Sequence, residues 1–205
     1  MRLGHIIKHA SDGMPNMPDW RPKLRSRADG NPRIMGILNI TPDSFYGQSR
    51  YETVESATGE AIAMAENGAD WIDVGGESTR PGSQAVPPRE EEARVVPVVQ
   101  SIRDELPDIG ISIDTRRSTV ASASLDAGAD MINDVSSLGD SGMADVIVEY
   151  RCPVCLMHMK GTPENMQKNP QYSDVVSEVR KSLSDSTTKL NLLGVDNSRI
   201  IVDPG

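Results

Sequence analysis

Six short apolar runs recur along the chain, and each closes on a carboxylate, a carboxamide or a polar loop: Ile34 to Asn39, Trp71 to Glu77, Ile111 to Asp114, Met131 to Asp134, Val154 to His158 and Ile200 to Asp203. Between them the spacing turns helical, over Glu52 to Asn67, Arg89 to Leu106, Arg117 to Ala127, Gly142 to Tyr150 and Ser173 to Leu193. This alternation predicts repeated βα units with reactive residues at the carboxyl ends of parallel strands. A closed barrel and an open doubly wound sheet both satisfy it.

The helix-to-strand junctions repeat. Gly68-Ala69-Asp70-Trp71-Ile72-Asp73-Val74 matches Gly128-Ala129-Asp130-Met131-Ile132-Asn133-Asp134-Val135 once a polar residue is inserted, and Leu193-Gly194-Val195-Asp196 is a third version. In each, glycine is read as the left-handed stop of a helix, with a strand close behind.

The 205 residues suffice for one core, yet fall short of the roughly 250 residues of a typical eight-unit barrel. No apolar run approaches the roughly 20 residues of a membrane span, and the start lacks a long apolar stretch with a small-residue cleavage site, so a cytoplasmic protein without membrane contact is expected. A net charge of −9 argues against nucleic-acid binding. An anionic ligand would need local help from a cation, helix amino ends or single residues such as Arg80. Residues 1–33, broken by Pro15, Pro18, Pro22 and Pro32, read as an irregular lead-in to a domain over 34–205. Cys152 and Cys155 spell C-P-V-C, but they flank the start of a strand, where positions three apart face opposite ways. They are read as reduced structural cysteines. His5, His9 and His158 are too dispersed for a zinc site.

Two loops carry a specific resemblance. Met35-Gly36-Ile37-Leu38-Asn39-Ile40-Thr41-Pro42-Asp43-Ser44-Phe45 and Asp73-Val74-Gly75-Gly76-Glu77-Ser78-Thr79-Arg80-Pro81-Gly82 resemble the two signature segments of the dihydropteroate synthases. Ser112-Ile113-Asp114-Thr115, Ile132-Asn133-Asp134-Val135, Leu156 to Pro163 and Val202-Asp203-Pro204-Gly205 are similar to that family's later blocks, in order. The resemblance spans about residues 34–205.

It implies an α/β fold of the (β/α)8 TIM-barrel type, here ending after the sixth strand. The implied reaction joins a 6-hydroxymethyl-7,8-dihydropterin diphosphate to 4-aminobenzoate and releases pyrophosphate, with Mg²⁺, in folate biosynthesis. The residue chemistry suits it. Asp114 and Asp203 can accept paired hydrogen bonds from the N–H edge of a pterin, and Asn133 can both donate and accept at the remaining mixed edge. By resemblance, Asn39 is the Mg²⁺ ligand, where an uncharged oxygen is adequate because the diphosphate and water complete the shell. Thr79 resembles a substrate contact, and Arg80 orients its loop or meets the arylamine carboxylate. Phe45 and Pro81 supply apolar walls, and Met157 lines the substrate site. No covalent nucleophile is required. His158, in the fifth block, has nothing nearby to complete a triad, so a role in shaping its loop is favoured.

Two departures stand out. Where the family commonly continues with a Ser-Asp-Gly-Gly-like run, this chain reads Tyr46-Gly47-Gln48-Ser49-Arg50. Either Asp43 takes the place of the absent aspartate as a catalytic group, or the loop belongs to a branch acting on a related pterin or arylamine. The family also continues into seventh and eighth strands with basic residues. The expectation is therefore a portion of a longer product, inactive alone, with two open sheet edges; a homodimer is a further expectation. Two alternatives keep the fold: the pterin-binding domain of a corrinoid-dependent methyltransferase, and a non-catalytic pterin-binding remnant.

Overall fold

One parallel sheet holds six strands in strict chain order: β1 (Met35–Asn39), β2 (Trp71–Gly75), β3 (Gly110–Asp114), β4 (Met131–Asp134), β5 (Val154–Met157) and β6 (Ile200–Asp203). The computed structural model describes residues 24, 27–40, 50–77, 86–162, 165–166 and 169–205, without the side chains of 50–52. Five α-helices alternate with the strands: α1 (Arg50–Glu66), α2 (Pro88–Glu105), α3 (Ser118–Asp126), α4 (Met143–Tyr150) and α5 (Val175–Leu192). Strand order separates the two architectures left open by the alternation alone, and it agrees with the barrel that the resemblance implied. A doubly wound sheet reverses its order at a switch point, whereas sequential strands joined by crossovers of one hand keep every helix on one face, as in a β/α barrel.

The helix-facing side is the apolar core. Leu38, Ile72, Val74, Ile111 and Ile113 pack there with Val95, Val98, Val99 and Ile102 of α2 and with Val120 of α3. A second cluster joins Ile132, Val154 and Leu156 to Met143 and Ile147 of α4 and Leu190 of α5. Because side chains alternate along a strand, the opposite positions line the inner face. Parallel register places Asn39, Gly75, Asp114, Asn133, Cys155 and Ile201 in a single rung across all six strands. Deeper in the barrel the Trp71 ring lies against Gly110, where any side chain would collide with it.

The repeated junctions have a common construction. Gly68, Gly128 and Gly194 all adopt positive φ, at 97°, 108° and 86°. Two residues on, Asp70 Oδ2 accepts the Ile34 N–H at 2.8 Å, and Asp130 Oδ2 accepts the Ile111 N–H at 2.8 Å. Each carboxylate thus anchors the chain beside it, and each is clamped by arginine. Arg27 bonds the Gly68 carbonyl and Asp70, while Arg103 bonds the Gly128 carbonyl and Asp130. Residues 27–33 form no helix or strand, yet through Arg27 and Arg33 they are tied to the foot of β2.

Element boundaries move by a residue or two from the sequence reading. Helix α5 starts at Val175 rather than Ser173 because Asp174 is its N-cap, accepting the Ser177 N–H at 3.2 Å. Strand β2 stops at Gly75 rather than Glu77. Beyond it the chain turns onto α2, where a Cβ on Gly76 would lie 2.8 Å from Val95 Cγ1 and where Arg94 Nη1 holds the Gly76 carbonyl at 2.9 Å.

Candidate active site

The inner-face rung gathers the polar strand-end residues. Gly75, between Asn39 and Asp114, has no side chain, and the position a Cβ would take lies 3.4 Å from Asn39 Oδ1 and 3.6 Å from Asp114 Oδ2. The missing side chain opens a space that both groups border. Asn133 stands beside Asp114 in register, and its Nδ2 donates to Asp73 Oδ2 at 3.0 Å. Met157 and Asp203 pair one step further up, on β5 and β6. Asp203 Oδ1 accepts the Gly205 N–H at 2.9 Å, and its carbonyl accepts the His158 N–H at 2.8 Å.

Asp114 is electrostatically exposed in this setting. Its Oδ1 is buried and meets no hydrogen-bond partner among the described residues. Burial, followed by the charges of Asp73, Glu91, Glu77 and Asp134, holds its carboxyl well above the usual range. Asp73, 5% exposed at the middle of β2, is raised for the same first reason, with hydrogen-bond donors from β3 and β4 partly opposing it. Two adjacent buried acids short of donors form a surface that favours a ligand rich in N–H groups. Cys155 shares the rung, but burial and then the Asp203, Asp73 and Asp134 charges push its thiol up to about 12, so it stays protonated near neutrality and is no nucleophile. Cys152 packs in the outer core, and neither cysteine is in a disulfide.

A charged network ties Glu77, just after β2, to Val86, Glu91 and the residues before α3. Glu77 Oε2 accepts the Val86 N–H at 2.7 Å and Arg117 Nη2 at 2.6 Å, while Arg117 Nη2 also donates to the Val86 carbonyl at 2.6 Å. Glu91, 1% exposed, is paired with Arg117 and accepts the Thr115 hydroxyl at 2.6 Å. Arg116 adds a further contact to Glu77 at 3.0 Å. This staple joins the described residues on either side of 78–85.

Ten residues were expected at the site from the sequence. Asn39, Asp114, Asn133, Met157 and Asp203 all lie on the inner face. Asp43, Phe45, Thr79, Arg80 and Pro81 lie outside the described residues. The sequence reading missed Asp73, which sits inside an apolar strand; a carboxylate at an inward position of a buried β-run is the signal that could have found it. Asp134 is the outward neighbour of Asn133, and it accepts the Ser136 and Leu138 N–H groups to fix the loop after β4. His158 Nε2 lies 3.1 Å from the Tyr172 hydroxyl, with Lys160 over the same ring, an arrangement that ties together the loop after β5.

Among the described residues no group of three or more His, Cys, Asp or Glu is arranged to hold a metal. Asn39, exposed on its edge strand, offers a lone amide oxygen, which fits a hard cation taking its other ligands from substrate phosphate and water. No described helix is long and apolar enough to cross a membrane.

Comparison with known proteins meets this geometry from another side. The sequence profile described as "Pterin binding enzyme" matches residues 35–205. The dihydropteroate synthase of Synechocystis is 42% identical over 173 residues, covering 84% of this chain and 60% of that protein. Among solved structures, the Yersinia pestis dihydropteroate synthase in a sulfonamide drug complex superposes with a TM-score of 0.77 at 39% identity, over 84% of this chain and 62% of the other. The Xanthomonas albilineans dihydropteroate synthase with 4-aminobenzoic acid gives 0.76 at 42% identity, over 84% and 61%. The chain thus spans about 60% of the length of the relatives it matches.

Proposed function

Because the chain belongs to the pterin-binding enzyme family, we propose that it carries the pterin-recognising part of a dihydropteroate synthase, a transferase that condenses 6-hydroxymethyl-7,8-dihydropterin diphosphate with 4-aminobenzoate. The observation that carries this reading is the buried, donor-starved Asp114 carboxylate beside Asn133 on one rung. A pterin answers that deficit with adjacent N–H groups, and each bond to the charged acceptor is stronger than a neutral one. Asp203 receives a second N–H at the mouth, Asn133 reads the mixed edge, and Met157 packs on the ring. The names of the relatives favour the synthase over a corrinoid-dependent methyltransferase.

The reaction cleaves the bond between the pterin methylene and the diphosphate oxygen as the arylamine nitrogen bonds to that carbon, and pyrophosphate carries away the electron pair. The chain's own residues bind and orient the ring, so that the methylene is held in line with its leaving group. Asn39 Oδ1 would hold Mg²⁺, which would supply countercharge for the departing pyrophosphate. Thr79, Arg80, Phe45 and Pro81 are proposed for the arylamine side, and Asp43 for the developing cation.

Pterin binding tests the reading. Titration calorimetry with 6-hydroxymethyl-7,8-dihydropterin and with its diphosphate plus Mg²⁺ should show that Asn39→Ala weakens only the diphosphate form. Equal losses for both ligands would place Asn39 with the ring or the fold, and absence of pterin binding by the unmodified chain would overturn the proposal.

A further inference from the structure

The bond between Asn133 Nδ2 and Asp73 Oδ2, 3.0 Å long, reaches from β4 to β2 across β3, where the small Ser112 stands opposite Asp73 in register. It joins a residue at the ligand face to one buried a layer below. A carboxamide has two chemically different ends, and a carboxylate anion can only accept. In keeping with that, the nitrogen end of Asn133 faces Asp73. The reversed amide would set its oxygen against the carboxylate. What remains for a ligand is one N–H and the oxygen of Asn133, which accepts no hydrogen bond from the described residues.

We infer that Asp73 is a positioning residue that locks the amide orientation of Asn133, so that the site selects a heterocycle by the order of donor and acceptor along its mixed edge. This rests on the pterin reading above. The bare carboxylate of Asp114 suits edges made only of donors, whereas an edge with a ring nitrogen next to an amino group needs a donor beside an acceptor. Among the described polar residues of the rung, Asn39 is the other carboxamide, but it lies on the edge strand and is exposed. Asn133 is the one adjoining Asp114, and its sense is fixed from below. Exchange of donor and acceptor on that edge would set N–H against N–H and oxygen against oxygen, leaving buried groups unpaired.

The discriminating probes are 6-hydroxymethylpterin and its 2,4-dioxo counterpart, 6-hydroxymethyllumazine, whose N1 and C2 substituent exchange acceptor for donor. Competition binding to the 205-residue chain gives the ratio of the two affinities. Asp73→Asn keeps size and burial but supports either amide orientation. It should lower the pterin-to-lumazine ratio by about tenfold or more, the scale of one misdirected hydrogen bond. In an Asn133→Ala background the same substitution should leave the ratio unchanged, an outcome that a merely structural role for Asp73 would not produce. A ratio unmoved by Asp73→Asn, or moved equally without Asn133, overturns the role of Asp73 alone. Failure of the unmodified chain to bind pterin overturns the parent reading and this inference with it. Should Asp73→Asn fail to fold by circular dichroism, Asp73→Ser is read the same way; loss of the fold in both assigns Asp73 to stability and overturns the inference.

Discussion

Replacing Asp114 by asparagine should move stability and binding in opposite directions. In the free chain the Asp114 carboxylate is a liability: Oδ1 is buried without a donor, and the charges of Asp73, Glu91, Glu77 and Asp134 surround it. Its carboxyl is raised from 3.8, first by burial, so the folded state holds a proton that the unfolded state has already released. Stability therefore declines as pH rises from about 4 through the raised value, and this loss is complete above it. Asparagine removes the charge and keeps the shape. Above the raised value the expected gain is about 1.4 kcal/mol for each pH unit by which the carboxyl stands above its ordinary range. For a chain of this size each kcal/mol corresponds to roughly 2 to 4 °C in melting temperature.

The same substitution removes the charged acceptor offered to the pterin. Hydrogen bonds to a charged group contribute about 1.5 to 3 kcal/mol each, and the asparagine amide also points a donor at a ligand donor. Pterin affinity should fall by about 30-fold to 1,000-fold. Melting curves from about pH 5 to 9, beside calorimetry with 6-hydroxymethyl-7,8-dihydropterin, read both effects. A variant that melts lower than the parent throughout that range refutes the electrostatic argument. Unchanged pterin affinity removes Asp114 from the site.

Two further outcomes follow from the supporting contacts. Arg117→Met strips the countercharge from Glu91, which is 1% exposed, and should cost about 3 to 5 kcal/mol, with Glu91→Gln restoring much of it in the double variant; chemical denaturation of all three proteins checks this, and an uncoupled pair would sink it. Asp70 is held well below its ordinary range, first by its hydrogen bond from Arg27, so its stabilisation is present above about pH 4 and is lost as pH falls through the depressed value; Asp70→Asn should flatten the acid limb of the melting-temperature profile, and an unaltered limb would show that the clamp is silent.

The fold was readable in the sequence to the extent that local periodicity carries it. The six runs became six strands, the alternation five helices, and the glycines of the Gly68, Gly128 and Gly194 junctions the left-handed stops expected of them. Periodicity alone left barrel against doubly wound sheet open, because the choice turns on which strands are neighbours, and neighbouring is set by long-range packing; the barrel came from the resemblance of the signature segments. The site divides in the same way. Asp114 ends its run and Asn133 stands one residue before the end of its own, where strand geometry places ligand groups. Asp73 was hidden because inward and outward positions of a buried strand look alike until the register is known. The Arg117 staple was hidden because its partners are separated by 26 and 40 residues, and no local pattern links them. The aspartates of the junction repeat were visible as a repeat, but their contacts to Ile34, just before β1, and to Ile111 of β3 were not.

Under the proposed function, the position of each group within the sheet bears unequally on ring recognition and on diphosphate handling. Asp73, Asp114 and Asn133 occupy β2, β3 and β4, each hydrogen-bonded to a strand on both sides. Their geometry is fixed by ladders that local fraying does not reach. Asn39 and Asp203 lie on β1 and β6, the two edges of the described sheet, where Ile37 on the inner face is 65% exposed. Whatever borders those edges controls how firmly Asn39 and Asp203 are held. Under the proposed function, reading the pterin ring draws on the central strands through Asp114 and Asn133 and on one edge through Asp203. Holding the diphosphate in line with the arylamine requires the edge groups as well, and misplacement by about 1 Å can cost a hundredfold in rate. Under the proposed function, loosening of the edges should therefore cost turnover more than pterin affinity.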